Sequence, residues 1–292
     1  MRKAFYIPFP NEVLPLKQHL LPSFNKLPPV TTKMGTTNSK LPPNTHLPAS
    51  MTNGTQPFPR RFSATYKKSL TKILALLTDA DRPNSPSYAI SWPSGSYGSL
   101  TFHAGPTKDH ELLATVRLAG RLGSDFNVAL PALFTGGEQK TEILRYVPSF
   151  KREMWWFAMP VGSGADVRIE RFEWRRSRGA EVKGVEGGSG SGWKLVRMGG
   201  QMASDTGHRD DEADDDDGRI EGFTSDGKEV VAVWADAGLS FHLSRIGGLE
   251  FRGSGATGEL GLLWSVMAVV TCMCIYQLQL QRATSAAASA AA

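Results

Sequence analysis

This sequence is poor in the residues that most protein chemistry needs. Its 292 residues include only two cysteines, Cys272 and Cys274, both inside one apolar run. Two apart on a helix, they point to different faces and cannot bridge each other. A disulfide framework is therefore excluded, and a reducing compartment is the default. Thiols in apolar surroundings have raised pKa values and are inert. No H-x-x-x-H, C-x-x-C or G-x-S-x-G spacing occurs, and His103, His110 and His242 are scattered. With no nucleophile–base pair and no metal-ligand spacing, the chain reads as a non-enzyme without cofactor or metal. Acid is almost missing from the N-terminal sixty residues, where seven Lys and Arg face Glu12 alone. The remainder is close to neutral, so the pI of about 9.2 belongs to that segment. A basic balance of this origin gives no reason to expect nucleic acid as a partner.

The same sixty residues hold eleven of the eighteen prolines and few aromatics. Such a composition buries too little apolar surface to offset ordering entropy, so residues 1–60 are expected to be a disordered basic tail. The opening "MRKAFYIPF" loosely fits a mitochondrial presequence, but prolines at 8, 10, 15 and 22 break the helix that such a signal needs. No secretory apolar region of adequate length is present. Residues 61–84 then read as a short amphipathic helix and linker. In "YKKSLTKILALLT" (66–78), Leu70, Ile73, Leu74 and Leu77 share a helical face, suited to packing beside the body or lying on a membrane.

From Ser87 onward the texture is β. Ten short runs rich in Val, Ile, Phe, Trp and Thr, from "SYAISW" to "LSFHLSRIGGLEF", are separated by Gly, Pro, Ser and Asp clusters at antiparallel spacing. In "VRIERFEWRR" the alternation changes phase near Arg171, which predicts a bulge or a switch of face. About ten strands and one terminal helix predict a single closed or nearly closed antiparallel sheet. Within the acidic stretch at 199–223, seven acids between Asp210 and Asp217 form a solvated loop with at most weak attraction for cations. An EF-hand register fails there, because Ala213 and Thr224 fall where the obligatory acids belong.

"GSGATGELGLLWSVMAVVTCMCIYQLQL" (253–280) begins with Gly253, Gly255 and Gly258 in G-x-G-x-x-G spacing. A dinucleotide site needs a second parallel strand and an acid for the ribose, and neither follows. These glycines instead predict a tight strand-to-helix turn, with Thr257 as N-cap and Glu259 in the first turn of a helix at 259–281. The 22 uncharged residues from Leu260 to Gln281 span about 33 Å as a helix, enough to cross a bilayer core. A helix apolar all round is equally suited to the centre of a large protein, and wide barrels can enclose one. Both readings stand on the residues alone.

"RFEWRRSRGAEVKGVEGGSGSGWKLVRM", "DGKEVVAVWADAG" and "FRGSGATGELGLLWSVMAVVTCMCIY" resemble a group of uncharacterised fungal proteins. Their layout is similar to that of the tubby C-terminal and LURP-one-related superfamily. The resemblance covers residues 85–282 and implies a tubby-like antiparallel barrel of twelve strands around a hydrophobic C-terminal helix. It departs from the fungal pattern at "QLQLQR", where that pattern has charged residues. It also implies lipid as the partner class. On this reading an Ala/Ser tail, 283–292, follows the barrel domain. Lys151, Arg152, Arg175, Arg176 and Arg178, interleaved with Trp, are the candidate contacts for anionic phospholipid headgroups. The bland alternative for them is a solvated strand end beside core tryptophans. The expected protein is a non-enzymatic interaction module, intracellular or at a membrane surface, binding lipid or a protein partner. The alternative is a tail-anchored membrane protein with the span at 260–280.

Overall fold

The computed structural model describes residues 41–53, 58–69, 72–93, 99–119, 124–148, 153–162, 164–186, 188–199, 221–237 and 244–290. Twelve strands follow one another: β1 (Arg61–Ser69), β2 (Lys72–Asp79), β3 (Pro86–Ser91), β4 (Leu100–His103), β5 (Leu112–Leu118), β6 (Phe126–Leu130), β7 (Lys140–Val147), β8 (Met154–Val161), β9 (Arg168–Ser177), β10 (Gly192–Arg197), β11 (Glu229–Asp236) and β12 (Arg245–Phe251). Each pairs with its sequence neighbours, and β1 returns to β12 to close an antiparallel barrel. Short helices α1 (Ala49–Thr52), α2 (Ala180–Lys183) and α3 (Gly253–Thr257) lie outside the strands, and the long helix α4 (Leu262–Ala290) follows them all.

Period-two burial decides which side chains fill the lumen. On β8, Trp155, Phe157, Met159 and Val161 are buried, whereas Trp156, Ala158 and Pro160 between them are half-exposed. Facing them is α4, buried on every side from Trp264 to Ile275, more than three helical turns. Its Trp264 packs on Phe172 and Phe251, and its Tyr276 on Trp234 and Tyr66. The polar positions of the helix are matched by indoles. Trp174 Nε1 donates to Thr271 Oγ1 (2.9 Å) and Trp92 Nε1 to Gln277 Oε1 (2.8 Å). The Gln279 amide oxygen, oriented by its donors, accepts from Trp193 Nε1 (3.1 Å) and from Arg176. Gln277 and Gln279 of "QLQLQ" are thus the polar complements of Trp92 and Trp193.

Several sequence-based expectations need correction. The amphipathic helix at 66–78 is instead the β1–β2 hairpin, with Thr65 opposite Leu76 and Ala64 opposite Leu77. A lone helix of that length is marginal in water, whereas the hairpin joins β12 to β3 and closes the barrel. The barrel thus begins at Arg61 rather than at residue 85. Pairing along β9 continues without a bulge. The apparent change of phase arises because Glu170 shares the inward face of Phe172 and Trp174. The long helix starts at Leu262, not 259, after Gly258 and Gly261 in left-handed conformations. Thr257 caps nothing on it, and Glu259 pairs with Arg197 instead. Beyond 281 it continues to Ala290, since alanine is the strongest helix former. Gly255 is needed for close approach: a Cβ there would collide with the Val231 carbonyl and lie 2.8 Å from the Trp264 ring.

Of the expected disordered tail, residues 1–40 lie outside the described residues, but 41–53 are placed on the barrel. Leu41, Leu47 and Met51 are buried, and the Leu47 N–H donates to the Ala132 carbonyl (2.9 Å). Phe58 packs on Phe62, Tyr88 and Phe251. Leucines set between prolines supply the apolar surface that bulk composition conceals. Each buried side chain of this size contributes about 1.5–3 kcal/mol. A chain lacking 1–60 is therefore expected to be about 3–6 kcal/mol less stable than one lacking 1–40, measured by urea unfolding. Equal midpoints would show that 41–60 adds nothing.

Candidate interaction surface

Antiparallel order gives the barrel two distinct ends. At the entry end, β12 finishes and α4 begins. At the exit end α4 emerges, beside the β1–β2, β3–β4, β5–β6, β7–β8, β9–β10 and β11–β12 connections. The entry end mixes exposed acids, among them Asp81, Asp109, Asp166, Glu221 and Glu259, with exposed Arg82, Lys108, Lys140 and Arg168. Lys67, Arg145, Arg176, Arg178, Lys183 and Arg282 belong to the exit half. Several acids of that half are engaged: Glu153 with Arg282, Glu181 with Ser177 and Lys194, and Asp236 with Trp234, whereas Glu186 is exposed. Burial raises the Asp236 carboxyl, against the Trp234 hydrogen bond and the charge of Arg176.

The five residues singled out from the sequence divide among different roles. Lys151 and Arg152 lie outside the described residues, between β7 and β8. Arg175 runs back along the outer wall, held by Glu173 (2.8 Å) and Asp226 (3.2 Å), and is largely buried. It is a structural cation. Arg176 sits over the Trp193 ring (5.5 Å) and reaches Gln279, with its side chain 41% exposed. Arg178 is exposed and makes no ion pair among the described residues. The structure therefore separates three neighbouring arginines that the sequence presents as one cluster.

Three further residues join the exit half. Trp156 lies on the outer wall between two guanidinium groups, Arg145 at 5.4 Å and Arg171 at 4.3 Å from its ring centre. Arg282 lies over the Tyr146 ring (5.5 Å) and pairs with Glu153. Arg145 becomes a neighbour of Trp156 through the β7–β8 register, which no local pattern announces. The only sequence signal for that pair was the doubled Trp of "KREMWW", of which Trp155 faces the core and Trp156 the outside.

Beside α3 at the entry end, one group of charges centred on buried Glu170 is mutually satisfied. Glu170 is 1% exposed and receives Arg197 through two hydrogen bonds, 2.6 and 3.0 Å. Burial alone would raise its pKa, but the bonds from Arg197 and Arg168 outweigh it and hold the carboxyl below the ordinary range. Arg197 also meets Glu229 and Glu259, and Glu229 accepts from the Ser254 N–H and hydroxyl. This network ties the start of α4 to the wall.

A second polar group lies outside the lumen, where His103 Nε2 contacts Ser91 Oγ (3.0 Å) and Thr101 Oγ1 (3.1 Å). Burial lowers the His103 pKa and keeps the ring neutral. Ser91 pairs with Leu74 of β2 on one side and Thr101 of β4 on the other. Burial also pushes the thiols of Cys272 and Cys274 up, as expected for inert core cysteines. Among the described residues no group of three His, Cys, Asp or Glu is placed to hold a metal ion. No family model, curated protein or solved structure matches the chain.

Proposed function

We propose that this protein is a non-enzymatic, tubby-like barrel module that docks its exit half on an anionic phospholipid surface. The observation that carries this reading is the group of exposed cations and aromatics in the exit half, where most acids are already engaged. Exposed Arg145 stands over the Trp156 ring, and exposed Arg178 and Lys183 lie in the β9–β10 connection. A polybasic surface with an amphipathic aromatic suits headgroups, at about 1 kcal/mol per cation near the membrane. Replacing Arg145, Arg178 and Lys183 together with Gln is expected to weaken binding to phosphatidylserine vesicles roughly a hundredfold. Wild-type binding should fade with added salt and be absent on phosphatidylcholine alone. Salt-independent binding, or binding unchanged in the triple variant, would remove the proposal. Arg175→Gln belongs in the stability assay instead, because it strips a partner from Glu173.

A second reading rests on α4 itself, whose stretch from Leu262 to Ala286 is long and apolar enough to cross a membrane. On that reading the helix is a tail anchor and the chain resists extraction from membranes by alkaline carbonate. Release into the carbonate supernatant favours the surface-docking module.

A further inference from the structure

One seam of the barrel is only half sewn. β7 and β8 are eight residues each, yet they pair only at Arg145↔Trp156, Tyr146↔Trp155 and Val147↔Met154, beside the exit end. Toward the entry end, residues 140–144 pair with β6 alone and residues 157–161 with β9 alone. Backbone groups in a strand point alternately to either side. The Tyr146 N–H donates to Asp125, on the β6 side, so even-numbered β7 residues address β6. Thr141 and Ile143 therefore turn their N–H and C=O toward the seam. On β8 the partner of Arg145 is Trp156, so Ala158 and Pro160 face the seam from the other side. Proline, which has no N–H, is tolerated at an unpaired strand edge, and Pro160 sits on this one.

Two independent features mark the same opening. Next to β8, on β9 and the β8–β9 turn, Ile169 is 68% exposed and Val167 about half exposed. Ile169 lies directly opposite Pro160. Glu142, on β7, is half-buried and has no hydrogen-bond or ion-pair partner among the described residues. Burial raises its pKa, with only the charge of Lys140 opposing.

We propose that the β7–β8 seam binds an extended polypeptide segment as an added strand, with a basic side chain opposite Glu142 and apolar side chains beside Ile169. Unpaired N–H and C=O groups in strand geometry are matched by another strand. The lone carboxylate selects a cation at one position, and Ile169 supplies apolar contact. This site is on the β6–β9 side toward the entry end and does not depend on lipid binding.

The test uses the full chain and a labelled peptide of alternating valine and threonine with one central lysine. Amide hydrogen exchange should be fast at Thr141, Ile143 and Ala158 in the free chain and slowed at least tenfold when peptide is added. Exchange already as slow as in β9 would mean a closed seam and overturn the proposal, as would saturation with peptide that protects none of the three. Exchanging the peptide lysine for glutamate should weaken binding at least tenfold in wild type, and the preference should reverse in Glu142→Lys. An unchanged preference in that variant overturns the role of Glu142. Ile143→Pro removes a seam-facing N–H outside any ladder, so it should lose peptide binding with its circular dichroism intact. Should that variant misfold, the exchange measurement on the unaltered chain still decides.

Discussion

Removal of residues 260–292 is expected to leave a chain that is insoluble, or compact without cooperative unfolding. The truncated wall would retain every strand but would surround a space once filled by Trp264 and the buried helix that follows it. A barrel of twelve strands is too wide to fill that space with strand side chains. The exposed lumen would include Trp155, Trp174 and Phe172. The point change Ala268→Asp asks the same question without deletion. Ala268 is fully buried within the helix, and an unpaired carboxylate there costs several kcal/mol, comparable with the whole stability of a domain. Near-ultraviolet circular dichroism and urea unfolding of both variants provide the check. A soluble truncation with a sharp unfolding transition would show that the wall stands without its filling and that the helix serves elsewhere.

The second large effect is expected at the entry end. Arg197→Met keeps the bulk of the side chain but leaves Glu170 in a buried site with only Arg168, whose side chain is half-exposed. Breaking a buried pair in this way costs about 3–5 kcal/mol. The effect should also depend on pH. In the native chain the Glu170 pKa is depressed, so its contribution is present above the unfolded carboxylate value and fades as pH falls through the folded one. In Arg197→Met burial prevails and raises that pKa, so stability is lost as pH rises through it. The gap between variant and wild type should therefore narrow from about pH 7 to about pH 4. Adding Glu170→Gln to Arg197→Met should recover part of the loss. A gap of equal size at both pH values would mean that Arg197 acts by packing alone.

Much of the wall was legible because each of ten strands carries its own β-branched and aromatic run between turn residues. The two that were missed, β1 and β2, have leucines and lysines at spacings that also suit a helix. Their strand state is imposed by pairing with β12 and β3, which no local window contains. Met51 and Leu47 were hidden by the prolines around them. The candidate surface was legible only as charge. The sequence shows Arg175, Arg176 and Arg178 as equals, yet Glu173 and Asp226 consume the first and Trp193 supports the second. The half-open seam left one trace, Pro160 within an otherwise strand-forming run. Reading it required knowing which neighbour that proline faces.

The order of elements along the chain has a consequence for synthesis. Every strand precedes α4, and the strand that closes the circle, β12, pairs with β1 across the interval from Arg61 to Glu250. A ribosome therefore delivers the whole wall before its centre, and the growing chain must keep tryptophans and unpaired edges exposed until the helix has emerged. Such long-range closure is slow, and intermediates of this kind aggregate. Assembly is accordingly expected to wait for synthesis of α4, with the nascent chain depending on chaperones until that helix emerges.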